Sequence, residues 1–357
     1  MNMVLENLAD TIHRAVATRT PLRFRGSGSK DFYGQALRGE VLDTRRYRGI
    51  VEYDPTELVI TARCGTPLSE IETALAQHGQ MLAFEPPRFG ADSTLGGCIA
   101  AGLSGPRRQA AGALRDFVLG ATLMDHRGEV LRFGGQVMKN VAGYDVSRLL
   151  AGALGTLGLI LEVSLKVLPQ PATDTTLLLQ MDHATAIQKL NEWAGQPIPI
   201  SASAWRSDTL HLRLSGADAA VRAAVTRLTC AVAATRMDDN RAATFWTGVR
   251  DQTDPFFSGD APLWRLSLPS TSAPILGGEQ FMEWGGALRW LRSDVDASGI
   301  RAAVARAGGH ATLFRARDKT AGAFQPLPDA VLRIHRALKT EFDPAGVFNP
   351  GRMYEDF

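Results

Sequence analysis

Three glycine-rich stretches carry the residues best suited to chemistry. The first is Gly26-Ser27-Gly28-Ser29-Lys30, which follows the β-rich run Leu22–Arg25. Successive backbone N–H groups in such a loop can form an anion nest, and Arg25 and Lys30 add charge suited to a phosphate. Alone, the motif describes a surface turn equally well. The second stretch is PPRFGADSTLGGCIAAG, residues 86–102. Thr94 offers a hydroxyl, and Gly96-Gly97 allows a ligand to touch the main chain. It continues into Leu103-Ser104-Gly105-Pro106-Arg107-Arg108, two guanidinium groups beside a glycine turn. Such forks match phosphate oxygens, though an exposed basic turn has the same composition. The third stretch is Lys139–Asp145 (KNVAGYD) followed by Gly152–Ile160, with glycine at 152, 155 and 158 among bulky apolar residues. That pattern suits a backbone lining a flat apolar ring system.

Two familiar nucleotide motifs are absent. GxGxxG would need glycine where Asp31 stands, and no GxxxxGK[ST] occurs. The three cysteines (Cys64, Cys98, Cys230) are scattered, with no CxxC. A disulfide framework, a structural zinc and an iron–sulfur cluster are therefore not expected, and each cysteine reads as a small buried apolar residue. The seven histidines are never closer than 25 residues in sequence, so no local metal-ligand pair exists and no metal site is expected.

The 357-residue chain is long enough for about two domains. Its formal charge is +2 and no charge run stands out, which argues against a nucleic-acid binder. Fourteen of the 35 glycines fall within residues 86–160, so the backbone excess is local. The N-terminus carries a helical stripe (Leu5, Leu8, Ile12, Val16) without the apolar core of a signal peptide. The longest strongly apolar run, Leu149 to Leu161, is too short to span a bilayer, which needs about 20 residues. The chain reads as cytoplasmic, with peripheral contact at the inner membrane left open.

The elements that must position these loops are short. Strands are expected at Leu22–Arg25, Glu57–Cys64, Phe117–Met124, Glu129–Phe133 and Leu159–Leu168. Gly65-Thr66-Pro67 opens a helix that Thr66 can cap and Gly79 can stop, with Leu68, Ile71 and Leu75 on one face. Beyond residue 171 the character changes. All six tryptophans lie between Trp193 and Trp290, and strand-like runs (176–180, 210–214, 264–268, 287–291) alternate with helix-like ones (184–193, 217–234, 300–307). This reads as a separate α/β layer domain covering the glycine-lined site. A final helix, Asp329–Thr340, precedes FDPAGVFNPGRM.

In this order, strand–RGSGS, PPRFGADSTLGG, SGPRR, RDFVLG, KNVAGYD, GALGTLGLI and FDPAGVFNPGRM resemble the FAD-binding fold of the vanillyl-alcohol oxidase / p-cresol methylhydroxylase superfamily. Within it, SGPRR and KNVAGYD are similar to the FAD-binding subunits of bacterial glycolate oxidases. The resemblance spans nearly the whole chain. It implies an α+β architecture: a two-subdomain FAD-binding domain over residues 1–170, an α/β cap domain over 171–325, and a segment over 326–357 that returns to the FAD domain.

The resemblance also implies site residues. The first loop (Arg25, Gly26, Ser27, Gly28, Ser29, Lys30) would wrap the FAD pyrophosphate. Ser93, Thr94, Leu95, Gly96 and Gly97 would face the diphosphate and flavin. Ser104, Gly105 and Arg107 would lie along the cofactor, Gly155 and Ile160 would offer main-chain contacts, and Asn349 and Arg352 would come from the returning tail. Some relatives attach the flavin through histidine or cysteine in the glycine regions. GSGSKDFYG and GLSGPRR hold neither, and Cys98 nearby reads as packing, so non-covalent FAD is expected.

A larger departure is the missing histidine cluster of related enzymes that oxidise D-2-hydroxy acids. If this chain bound a small hydroxy acid itself, it would need a base and an arginine for the carboxylate. Arg206, Arg265, Arg289 and Arg292, beside Trp205, Trp264 and Trp290, are the candidates; ordinary strand packing is the competing reading, and no catalytic residue is assigned. The resemblance thus implies an FAD-dependent oxidoreductase acting on CH–OH groups, as the FAD-binding subunit of a complex that oxidises glycolate to glyoxylate. Its partners would be a larger FAD-binding catalytic subunit and an iron–sulfur subunit. A stand-alone dehydrogenase or oxidase, and a scaffold subunit whose flavin site has lapsed, remain alternatives; the intact glycine loops count against the latter.

Overall fold

A computed structural model describes residues 2–135, 145–355 and 357. The KNVAGYD segment, with Tyr144, lies outside the described residues but for Asp145. Contacts divide the chain into two compact units. One draws on Met1–Leu103, Ala113–Pro169 and Gly322–Phe357, the other on Ser104–Gly112 and Gln170–Ala321.

The first unit is built on a five-stranded antiparallel sheet. Its order is Ile50–Asp54, Val59–Arg63, Leu159–Lys166, Val118–Met124 and Val130–Gly134. The three central strands are buried along most of their length, whereas the edge strands are largely exposed. Continuous burial is what a strand covered from both sides requires. The one polar pair in this core, Thr61 and Ser164, is satisfied by a hydroxyl–hydroxyl bond of 2.8 Å. The N-terminal helix Asn2–Thr18 buries Leu8, Ile12 and Ala15, one face at helical spacing.

A smaller parallel pair, Leu22–Arg25 with Glu40–Asp43, leads into the first glycine loop. The C-terminal tail joins it: Leu22 N–H donates to Val347 O at 2.7 Å and Asn349 N–H to Leu22 O at 2.8 Å. The helix after Pro67, Leu68–Ala76, buries Leu68, Ile71 and Leu75, but Thr66 does not cap it. The Thr66 hydroxyl instead exchanges hydrogen bonds with the main chain of Gly49, at 2.8 and 3.2 Å. That tie draws the side chain away from the helix end.

The second unit is an eight-stranded, wholly antiparallel sheet with helices packed on it. The order is Ala234–Arg236, Thr173–Gln180, Thr209–Gly216, Ile200–Arg206, Gln280–Glu283, Leu288–Arg292, Leu263–Ser267 and His310–Arg315. Leu210, Leu212 and Leu214 alternate onto one face, packing with Leu190 and Leu228 from the helices His183–Ala194 and Asp218–Ala231. A second cluster packs Ile300 and Val304 of the helix Ala297–Arg306 on Leu266 and Leu313.

Residues 104–112 interrupt the first unit's chain to pack in the second. The Trp284 indole donates to Gly105 O at 3.0 Å, and the Arg108 guanidinium lies 4.3 Å from the Trp284 ring centroid. Ser203 Oγ reaches Gln109 Oε1 at 3.2 Å. Cys64 and Cys98 are buried, but Cys230, read from sequence as buried, is exposed near the end of its helix.

Candidate functional site

In the first unit, the glycine loops converge on a cleft that is open to solvent and encloses, with that solvent, about 770 Å³. Its walls come from residues 24–31, 94–101, 154–160 and the tail residues Asn349 and Arg352. Glycine is required here because the loops nearly touch. A Cβ on Gly26 would sit 2.1 Å from Thr94 Oγ1, and one on Gly96 2.8 Å from Cys64 Cβ. Gly28 has φ +79°, and a Cβ there would lie 2.3 Å from the Arg25 guanidinium. Gly97 differs. Its Cβ would meet only Thr94 Oγ1, at 3.3 Å, so a side chain there would project into the cleft.

Cations dominate the cleft. Arg25, Lys30 and Arg352 line it against the single carboxylate of Asp31. Each is held. Arg25 Nε donates to Asp31 at 2.9 Å. Lys30 Nζ donates to Ser93 Oγ at 2.6 Å and to Arg88 O at 3.3 Å, tying the first loop to the second. The buried Arg352 guanidinium donates to Asp31 O at 2.9 Å and to the Gln35 carbonyl. Burial lowers its pKa to about 10, so it stays charged at neutral pH. Asn349, at φ +42°, accepts from Phe24 N–H at 2.8 Å and donates to Leu154 O at 2.5 Å, pinning the first strand to the loop of Gly155.

Of the eighteen expected site residues, the structure brings Arg25, Gly26, Ser27, Gly28, Ser29, Lys30, Thr94, Gly96, Gly97, Gly155, Ile160, Asn349 and Arg352 to this cleft. Ser93 sits behind the wall, buried and bonded to Lys30, and Leu95 is core. Ser104, Gly105 and Arg107 lie in the second unit, where Arg107 approaches Asp174 at 3.7 Å. The indole that holds Gly105 is 179 residues away, a partner no local pattern could name. Sequence reasoning missed Phe24, Asp31, Thr44, Cys64 and Leu154 in the lining. Asp31, next to Lys30 in a charged loop, carried the only visible signal.

The lining holds no histidine among the described residues. Burial pushes the Cys64 and Cys98 thiols up to about 12, so both are protonated at neutral pH and poor nucleophiles. The four arginines suggested for a carboxylate are engaged within the second unit. Arg206 pairs with Asp254; Arg289 donates to the carbonyls of Gly286, Ala273 and Ser272; Arg292 to those of Phe256 and Ala261. Arg265 lies 5.3 Å from the Trp284 centroid. Among the described residues no group of three or more His, Cys, Asp or Glu side chains could hold a metal ion, and no helix is long and apolar enough to cross a membrane.

The donor set fits an anionic dinucleotide: a glycine loop under a cationic wall, continuous with an apolar stretch at Ala100, Ala101, Leu159 and Ile160. A family model described as an FAD binding domain matches residues 5–134. The chain is 48% identical over 351 residues to the glycolate oxidase subunit GlcE of Escherichia coli K12, covering 98% of this chain and 97% of that protein. It is 34% identical over 170 residues to the glycolate oxidase subunit GlcD of Bacillus subtilis 168, covering 47% of this chain and 36% of that one. Among solved structures, p-cresol methylhydroxylase with substrate bound superposes with a TM-score of 0.72 over 99% of this chain and 87% of the other, at 14% identity. That likeness establishes the fold, which is of the p-cresol methylhydroxylase type.

Proposed function

The chain belongs to the family of the glycolate oxidase subunit GlcE, and on that premise we propose that it is the FAD-binding subunit of a multi-subunit enzyme oxidising glycolate to glyoxylate. It is an FAD-dependent oxidoreductase subunit, and the bound flavin supplies the redox chemistry of the CH–OH group. The chain's own residues place and polarise that cofactor. Arg25, Gly26, Ser27, Gly28, Ser29 and Lys30 hold the pyrophosphate, with Thr94, Gly96 and Gly97 opposite. Gly155 and Ile160 present main chain and apolar surface to the ring system. Arg352 and Asn349 act one step back, holding the loop carbonyls in place.

The observation that carries this reading is the closure of Gly26 on Thr94 beneath three cationic side chains. Attachment is non-covalent in this reading, supported by the protonated Cys64 thiol and by a lining that holds no histidine among the described residues. Electrons pass to a partner. A larger FAD-binding catalytic subunit and a separate iron–sulfur chain complete the enzyme, which associates peripherally with the inner membrane through the complex. The engagement of Arg206, Arg289 and Arg292 within their own unit favours this division of labour over a self-sufficient enzyme.

The test is spectroscopic. The chain expressed alone is expected to be yellow and to release FAD on acid precipitation. Under anaerobic glycolate it stays oxidised until the partner subunits are added. Bleaching by glycolate without partners would establish a stand-alone dehydrogenase, and a colourless chain that FAD cannot reconstitute would end both readings.

A further inference from the structure

The C-terminal helix Asp329–Phe342 buries one side chain fully, and that side chain is charged: Lys339. Lys339 is 6% exposed and Asp343, one turn on, 2%. An ammonium has three protons to donate, and the fold supplies three acceptors. They are Thr156 O at 2.8 Å, Phe348 O at 2.7 Å and Asp343 Oδ2 at 2.7 Å. Asp343 in turn accepts from Val347 N–H at 3.1 Å and Phe348 N–H at 2.7 Å. All of these residues belong to the first unit.

Two buried charges are a costly way to hold a fold together. Apolar side chains of similar volume often stabilise as well or better, because both ions must be stripped of water. What a lysine adds is direction: it fixes the carbonyls of two chain segments at hydrogen-bond length. Both segments continue into the cofactor cleft. Thr156 closes the turn 153–156, its N–H returning to Ala153 O at 3.0 Å. Within that turn Leu154 has φ +50° and Gly155 φ +72°, a left-handed pair that surrounding structure must hold. Phe348 precedes Asn349, whose side chain bonds Phe24 N–H and Leu154 O. Phe24, Leu154, Gly155 and Asn349 all line the cleft. The two segments nearly touch. A Cβ on Gly155 would lie 2.6 Å from Asn349 Nδ2, so a shift of either by about 1 Å alters the wall.

We propose that Lys339 and Asp343 are positioning residues for the FAD: the pair fixes the turn 153–156 against the tail 347–349 and so holds Leu154, Gly155 and Asn349 in the setting the cofactor meets. The proposal rests on the FAD-binding reading above and adds to it two residues that act through Gly155 and Asn349.

The test uses the full chain, freed of FAD and titrated with it. The variants are Lys339→Met, Asp343→Asn, the double variant Lys339→Met/Asp343→Asn, and Ile12→Ala, which empties core space under the N-terminal helix of the same unit. Lys339→Met leaves Asp343 a buried charge without its cation and is expected to be the least stable. The double variant removes both charges at nearly the same shape. It recovers stability but leaves the carbonyls of Thr156 and Phe348 unheld. Lys339→Met and the double variant are both expected to raise the Kd for FAD, per folded chain, roughly tenfold or more and to alter the visible circular dichroism of the bound flavin. Asp343→Asn raises the Kd less. Ile12→Ala lowers the melting temperature yet keeps the wild-type Kd and dichroism.

A merely structural pair would behave otherwise. FAD affinity that stayed at the wild-type value in Lys339→Met, or that followed stability through the series, recovering in the double variant and falling in Ile12→Ala, would overturn the positioning role and leave the cofactor site standing. A wild-type chain that binds no FAD would overturn both. Should the charge variants fail to fold, the wild type decides: FAD slows amide exchange in residues 153–156 and 347–349 together, and slowing in one segment without the other would show that the pair does not couple them.

Discussion

The arginines of both units are bonded, to a carboxylate or to backbone carbonyls, but the two units differ in what lies beside them. In the first, Arg25, Lys30 and Arg352 gather round a cleft in which one carboxylate faces three cations. In the second, Arg206 is paired with Asp254, while Arg289 and Arg292 are saturated by backbone carbonyls. The first arrangement leaves net positive charge beside open space. The second satisfies carbonyls that would otherwise be orphaned within the fold. Arginine beside tryptophan therefore says little about availability; what matters is whether carbonyls or a cavity lie at the guanidinium.

Substitutions can break this contrast. Gly97→Trp has the largest expected effect on the first unit: the indole enters the cleft and FAD retention is lost, while the protein melts as wild-type apoprotein does. Flavin content by absorbance and thermal melting check it, and wild-type FAD content would remove Gly97 from the cofactor wall. Arg289→Met should do the reverse. It strands the carbonyls of Gly286, Ala273 and Ser272 in a fully buried site, costing about 3–5 kcal/mol of stability, with flavin per folded chain unchanged. Chemical denaturation followed by tryptophan fluorescence reads the second unit, which holds all six tryptophans. Flavin loss without destabilisation would erase the distinction.

A smaller effect sharpens it by pH. His183 stacks on Trp205 and His211 on Phe245, and burial lowers both from 6.5 to about 4. Between those values the unfolded chain binds more protons than the native one. Stability therefore rises with pH across that window and falls on acidification from 6.5 towards 4. The melting temperature of His183→Gln/His211→Gln should depend less steeply on pH over that range, and an unaltered slope would exclude these residues as its source.

Much of the first unit was legible in the sequence. Its central strands are rich in β-branched and other apolar residues, and Leu8 and Ile12 repeat at helical spacing; such patterns are local properties of the chain. In the second unit, the strands Ile200–Arg206 and Gln280–Glu283 and the helix Asp239–Asp251 escaped notice. ISASAWR is rich in small residues, Ser and Ala, and its strand character comes from neighbours on both sides, so its signal is tertiary.

The sequence by itself determined the cofactor class through the resemblance its ordered glycine motifs carry; the spacing of glycines beside Arg25, Lys30 and Thr94 alone describes a surface turn equally well. It also determined which strands lie buried. Only the tertiary structure decided which charges face the cleft and which are already bonded. It alone assigned Ser104–Gly112 to the second unit and left Ile334 facing water. Those outcomes depend on partners far away in sequence, such as Trp284 for Gly105 and Asn349 for Leu154. Pairings of that kind are set by packing, which no local pattern of residue types records.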